Sequence, residues 1–437
     1  MKVFRILFVV SVLLASFSPY LLAEESEDLK SEVQALRDEV KALREELRAV
    51  KKEPSGAVGQ KEPVSQEDLQ GVRTEVETLR DQWQRTLERK TALTTRSLTL
   101  GGIVQTRYTE TQDKSAKDGF DISTIILSLK GNLRKDYEKG RNLDYLFSLA
   151  TSSDFSFKPL DAYLSYSVLP SLDLEKPYLT LSLGQQKKPF GLDPQATEEK
   201  KPTIKNAQFD SNLSLGTRDI GIVARGDLFP FVDYGFRYRV PLIEYSFGIV
   251  NGSGPNASDN NNKKDYVGRL ILNAPSGYNS LLRGLSLGGS YWTGITTLSG
   301  NLRDRKRIGA DLSYVHTPIG ISAEYAQGED EQTDRSITKS NGYAVTLFYN
   351  FGQQFVRGFK AQDRYDDWYP LTYQPFVRFD HWDPNKNVSG DRKDIYTLGL
   401  NWFFAETTKL QFNYNLKKEE SNEVANNEFL VQFQYGF

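Results

Sequence analysis

The chain has 437 residues, 38% hydrophobic and 26% charged, with a formal net charge of −2 and a mean hydropathy of −0.52. After the first 25 residues no run of about 18 apolar residues occurs, which excludes membrane crossing by helices beyond that point. Cysteine is absent and the one methionine is Met1, so disulfides, thiolate chemistry and cysteine metal sites are excluded, and the near-neutral balance carries no nucleic-acid signal.

Residues 1–23 read as a signal peptide. Lys2 and Arg5 supply the charged start, Ile6 to Ala15 the apolar stretch, and Ala23 before Glu24-Glu25 the cleavage site. Residues 24–94 read as a periplasmic coiled coil and linker. Leu29, Val33, Leu36, Val40, Leu43, Leu47 and Val50 recur in steps of four and three, which lines them along one side of a helix. Pro54, Ser55 and Gly56 break that helix. A second begins after Ser65, with Leu69, Val72, Val76, Leu79 and Trp83 as its stripe. Such stripes call for a partner, either another copy of the chain or a second surface.

From about residue 97 the period changes to two. Leu410, Phe412, Tyr414 and Leu416 alternate with Gln411, Asn413 and Asn415, and Tyr396 to Phe404 and Tyr343 to Phe351 repeat the pattern. Side chains on a strand alternate faces, so each such strand has one apolar and one polar side. Sixteen candidate strands follow: about 97–108, 120–133, 142–151, 159–168, 176–187, 217–228, 236–250, 264–274, 284–294, 305–315, 319–327, 340–351, 372–382, 393–404, 408–417 and 427–437. The fold class expected for 95–437 is therefore all-β, a sixteen-stranded antiparallel transmembrane β-barrel, preceded by the α-helical coiled coil. The 23 Tyr and 25 Phe suit the aromatic girdles of such a barrel. Short turns are expected at the end bearing the termini and longer loops at the other, and the long connection 352–371 breaks this rule. The closing run Phe429, Val431, Phe433, Tyr435 and Phe437 resembles the signal that directs outer-membrane barrel assembly.

Two motifs lie in the middle of this region: Gly184-Gln185-Gln186-Lys187-Lys188-Pro189-Phe190-Gly191-Leu192 and Thr217-Arg218-Asp219-Ile220-Gly221-Ile222. With Asp161-Ala162-Tyr163 and the aromatic last strand, they resemble the phosphate-selective porin O and P family. The resemblance implies a trimeric sixteen-stranded porin in the cell outer membrane, its third outer loop, here 191–216, folded into the pore. It implies passive diffusion of small hydrophilic solutes, anions such as phosphate among them. The partners implied are outer-membrane lipid and the solutes; no cofactor and no nucleic acid are expected. The coiled coil lies outside the family's barrel and is expected in the periplasm. There it reinforces a homotrimer or, in the alternative reading, contacts the cell wall and makes the protein a structural anchor that tethers or spaces the envelope.

Catalysis and metal binding are not expected. His316 and His381 are the only histidines. Gly284-Leu285-Ser286-Leu287-Gly288 spells a nucleophile elbow, but a strand pattern runs straight through it. His381 beside Asp380 is the one tempting acid–base pair. A channel selects by width and by the charges that line it. Strand parity and the third loop nominate Arg107, Lys130, Lys188, Lys200, Lys201, Lys205, Arg225, Arg269 and Arg378 as pore-lining residues, with Asp219, Asp311, Glu324 and Asp380 among them. Such mixed signs fit either anion preference or ion pairs that brace the wall.

Overall fold

The computed structural model describes residue 78 and residues 98–437, apart from 137–138, 171–175, 199, 237, 317, 353–371, 406 and 422–423. The expected signal peptide and coiled coil lie outside the described residues, as does most of the connection 352–371.

The strands are β1 (Leu98–Thr111), β2 (Gly119–Arg134), β3 (Leu143–Thr151), β4 (Lys158–Leu169), β5 (Leu179–Lys187), β6 (Arg218–Asp233), β7 (Tyr238–Val250) and β8 (Asp265–Asn273). They continue with β9 (Leu285–Leu298), β10 (Asn301–His316), β11 (Ile319–Glu331), β12 (Ile337–Tyr349), β13 (Thr372–Asp383), β14 (Lys393–Phe403), β15 (Lys409–Glu419) and β16 (Glu428–Gly436). Phe351–Gly352 prolongs β12 past a break at Asn350, since both pieces pair with β13. Every strand is antiparallel to its sequence neighbours, and β16 pairs with β1 from Thr111↔Glu428 to Ile103↔Gly436. Phe437 adds a further pair of bonds, exchanging N–H and C=O with Gly102 at 3.1 and 3.0 Å. The result is a closed sixteen-stranded barrel with no free edge, as strands in hydrocarbon require.

The sequence alternation sets which face points where. On β15, Lys409, Gln411, Asn413 and Asn415 are buried in the barrel, whereas Tyr414 lies outside. Outward side chains on the other strands are large and apolar: Leu183 is 60% exposed, Leu398 54% and Ile308 52%. A polar interior wrapped by an apolar exterior inverts the arrangement of a soluble protein and matches a barrel in lipid. Exposed tyrosines bound the apolar zone. Tyr266, Tyr291, Tyr343, Tyr396 and Tyr414 lie toward one end, and Tyr349, Tyr373 and Tyr435 toward the other. Tyr343 and Tyr349 lie on the same strand, and at roughly 3.3 Å per residue their separation is about 20 Å, close to the thickness of an outer-membrane apolar band.

Connection lengths follow the expected rule only in part. Ser299-Gly300, at the end away from residue 98, is a two-residue hairpin with φ of 50° and 75°, the positive values of a type I′ turn. Residues 274–284, at the same end as residue 98, form a longer connection. Its Tyr278 stacks on Phe236 at 4.7 Å and lies under Arg283 at 4.3 Å. The connection 188–217, between β5 and β6, is the longest among the described residues and enters the barrel.

Candidate functional site: the lumen and its inserted loop

The loop 188–217 carries one helical turn and a half, α1 (Gln208–Leu213), which ends at Ser214 in the left-handed region. Its apolar residues decide where it goes. Phe190, Ala207, Phe209, Leu213 and Leu215 are buried in one cluster with wall residues Val267, Trp292, Ala326, Ala344 and Trp382, from β8, β9, β11, β12 and β13. Burying a side chain of this size stabilises by about 1.5–3 kcal/mol, so the loop gains more against the wall than in water. Glycines make the room. A Cβ at Gly309 would stand 2.8 Å from the Phe190 ring, one at Gly328 would meet Leu213 at 2.4 Å, and one at Gly342 would meet Phe209 at 2.9 Å.

Polar contacts fix the rest of the loop to the same side of the lumen. Glu324 accepts from the backbone N–H groups of Leu192 and Asp193 at 2.9 and 2.7 Å, and Ser290 Oγ accepts from Gly191 N–H at 3.0 Å. Asp380 accepts from Gln208 N–H at 3.0 Å. Asn401 and Gln411 donate to the Pro202 carbonyl, and Lys409 Nζ donates to the Lys201 carbonyl at 2.7 Å. Within the loop, Asp210 accepts from Gly216 N–H at 2.6 Å and from Asn206 at 2.7 Å. Burial, with Asp193 adding to it, pushes the Asp210 carboxyl above its ordinary range.

The sequence nominees occupy three kinds of place. Arg269, on β8, is buried and forms a two-bond pair with Asp311 of β10 at 2.6 and 2.9 Å. Arg378, on β13, is buried beneath the loop. It donates to Thr203 Oγ1 at 2.9 Å and the Lys205 carbonyl at 3.2 Å, with Asp193 and Asp380 at 3.7 and 3.8 Å. Lys188 is enclosed between the loop and Trp292. Burial first, then Arg305 nearby, pushes its ammonium down to about 7. Lys201 is also buried, donating to Asn206 at 2.6 Å. Lys205 is exposed, with its ammonium bonded to both oxygens of Glu428 at 2.8 and 2.7 Å, and Lys200 is exposed. Arg225 donates to Gln186 at 2.6 Å. Arg107, bonded to Ser123, and exposed Lys130 face open space.

That open space lies opposite the loop's anchorage. Two adjoining cavities of about 550 and 570 Å³ run between the loop and the wall of β1–β4. Ser123, Thr124, Ala150, Leu160, Lys187, Glu198 and Arg218 border both. Arg107, Lys130 and Lys158 add positive charge from the wall; Asp154, Asp161 and Asp210 add negative. Sequence reasoning missed the Arg218–Asp161 pair, two bonds of 3.1 Å between β6 and β4. Both residues stood in quoted motifs, but their pairing needs the tertiary register. It also missed Asp265, fully buried under the Trp292 indole N–H at 2.8 Å and Arg305 at 2.6 Å. Asp380 and His381 fall on opposite faces: Asp380 meets the loop, while the His381 imidazole pairs with Asp394 at 2.6 Å and packs on Tyr343 at 4.8 Å.

A closed sixteen-stranded barrel with a polar lumen and an inserted loop is the architecture of outer-membrane porins. Residues 293–437, a third of the chain, match the family model for phosphate-selective porin O and P, so the family resemblance read from the motifs holds there. The motifs themselves lie outside the matched stretch. Among solved structures, the anion-selective porin from Comamonas acidovorans aligns with a TM-score of 0.56 and 16% identity, covering 78% of this chain and 100% of that one. OmpT of Vibrio cholerae, in its trimer form, aligns at 0.53 and 11%, covering 78% and 99%. Salmonella typhi OmpF, in complex with daunomycin, aligns at 0.53 and 13%, covering 78% and 97%. At such identities these likenesses speak for the fold. No curated protein sequence matches the chain. The family match over 293–437 and the barrel fold are both those of outer-membrane porins.

Proposed function

We propose that the protein lets small hydrophilic solutes diffuse passively across the outer membrane, and that the loop 188–217 is the constriction of its pore. The observation that carries this reading is the loop's one-sided anchorage. It lies against β8–β16, and the two cavities beside it run along β1–β4. Deleting residues 196–212 tests it. The deletion should raise single-channel conductance in planar bilayers, and an unchanged conductance would refute the constriction.

The pore prefers anions, phosphate among them. Arg107, Lys130 and Lys158 border the passage, and a guanidinium such as that of Arg107 offers phosphate two parallel hydrogen bonds. The basic groups across the lumen are committed to partners: Arg269 to Asp311, Arg378 to the loop, Lys205 to Glu428. The reversal potential in a salt gradient measures this preference. The protein assembles as a homotrimer, in keeping with the trimer form of the Vibrio neighbour and with the outward apolar patch of Leu127, Phe147, Leu164, Leu183 and Ile222 on β2–β6. The heptad stripe of 26–51 supplies a second, periplasmic seam for that trimer.

A further inference from the structure

Lys187 ends β5 and Lys188 begins the loop, and their side chains diverge to opposite arms of it. Lys187 Nζ donates to the carbonyls of Pro194 and Ala196, at 2.8 and 2.9 Å, on the arm that leaves the wall. Lys188 Nζ donates to Thr217 Oγ1 at 2.8 Å and the Ser214 carbonyl at 3.2 Å, on the arm that returns. The same ammonium stands 3.8 Å from the centre of the Trp292 ring, a surface that Arg305 and Arg307 approach at 4.8 and 5.5 Å. Two residues further on, Phe190 is seated against Gly309. The root of the loop is thus held at both arms by adjacent residues and pinned to the barrel by one of them. A lysine ammonium that donates to carbonyls fixes their positions, and one over an aromatic face is held by the ring's quadrupole. Lys188 is only 3% exposed, so a passing solute cannot reach it.

We propose that Lys187 and Lys188 act together as a clamp at the root of the loop, positioning it and thereby setting the width of the passage. Lys188 is sealed from solutes, and Lys187, although it borders both cavities, commits its ammonium to the Pro194 and Ala196 carbonyls, so both are positioning residues. The inference rests on the loop being the constriction and adds what holds it there. It separates two roles that sequence alone merges, since a lysine pair beside a pore is equally consistent with anion attraction.

The test uses the full-length protein in planar bilayers and in vesicles. In Lys187→Met/Lys188→Met, both arms lose their donors, and single-channel conductance should rise roughly twofold, because conduction follows pore width. The reversal potential should stay at the wild-type value. Trypsin should cut at Lys200 in this variant and spare the wild type. Lys187→Arg/Lys188→Arg keeps the donors and the cation over Trp292, so it should restore both conductance and trypsin resistance. If the Met pair keeps wild-type conductance and trypsin resistance while its reversal potential moves toward cations, the lysines are selectivity charges and the clamp is refuted. Should the double variant not insert, Lys188→Met alone must loosen the loop enough for trypsin to cut at Lys200, and a resistant loop there refutes the clamp equally. The 196–212 deletion, run in parallel, separates the two claims. If it raises conductance while the Met pair does not, the clamp falls and the constriction stands. If it changes nothing, both fall.

Discussion

The two sides of the lumen use the same residue types for different ends. Along β8–β16, arginines, lysines and acids are buried against the loop and bonded to one another or to its backbone, as in Arg269–Asp311, Arg378–Lys205 and Glu324–Leu192. Along β1–β4, Arg107 and Lys130 border open space in company with Ser123, Ser128 and Ser148. The strands are alike in period and length on both sides. What differs is whether the loop covers them, and cover turns a charge from a solute contact into a structural tie. A count of basic residues in the lumen is therefore a poor guide to selectivity, since four of the nine nominees, Lys188, Lys201, Arg269 and Arg378, are buried.

Substitutions on the covered side should change stability and those on the open side should change selectivity, which gives several ways to break the contrast. The largest effect is expected from Asp311→Ala. It strands the Arg269 guanidinium in a buried site and should destabilise the barrel by about 3–5 kcal/mol, measured by urea unfolding in vesicles. A loss under about 1 kcal/mol would mean that water reaches Arg269 and that the covered side is not sealed. Next, Gly328→Val sets a branched side chain where Leu213 now lies and should lift that part of the loop, raising conductance with no change of charge. Wild-type conductance in this variant would show that Leu213 repacks without moving the loop.

On the open side, Arg107→Glu with Lys130→Glu should move the reversal potential toward cations and leave unfolding within about 0.5 kcal/mol of wild type. Replacing Lys200, Lys201 and Lys205 by Glu should move it in the same direction but less, and lower phosphate flux. Lys201 is buried, so Lys200, and Lys205 through the Glu428 carboxylate that it now neutralises, carry most of the selectivity change. A larger shift than that of the wall pair would place the selective charges on the loop instead. The smallest effect concerns pH. Lys188, faced by Arg305, Arg307, Asp219 and Asp265, sheds its proton as pH rises through about 7. The Trp292 ring then loses the nearest of its three cations, keeping Arg305 and Arg307, so current noise should grow from about pH 6 to about pH 8. Lys188→Arg stays charged and should abolish that growth; noise that still rises in this variant would point to another group.

Much of this fold was legible because a barrel strand writes its two environments in alternate letters. Tyr396, Leu398 and Leu400 against Thr397 and Asn401 leave one assignment of faces, and all sixteen expected strands overlap observed ones. The loop's packing was half legible. Phe209, Leu213 and Leu215 call for an apolar surface, but that surface is formed by Trp292, Trp382 and wall glycines distant in sequence. Arg269–Asp311 spans three strands, β8 to β10, and Arg218–Asp161 likewise spans β6 to β4. Such pairs depend on the stagger between strands, which alternation does not encode. Parity assigns Lys130 and Arg378 alike to the lumen, yet it cannot say which lumen residues the loop will cover, so the two look alike until the loop is in place.

The seam between β1 and β16 has a consequence for how the molecule is made. All other neighbouring strands are also neighbours along the chain and can zip across connections far shorter than the span from Gly102 to Phe437. The closing pair joins Gly102 to Phe437, and its loop-closure entropy, which grows only as the logarithm of length, must be met after the rest of the sheet is ordered. Until then Leu98–Thr111 and Glu428–Gly436 each present an unpaired edge flanked by apolar side chains, the most adhesive surface that a partly folded sheet can offer. The hazardous interval in this protein's assembly is thus the wait for its first and last strands to meet, and whatever escorts it to the membrane has to shield those two edges above all.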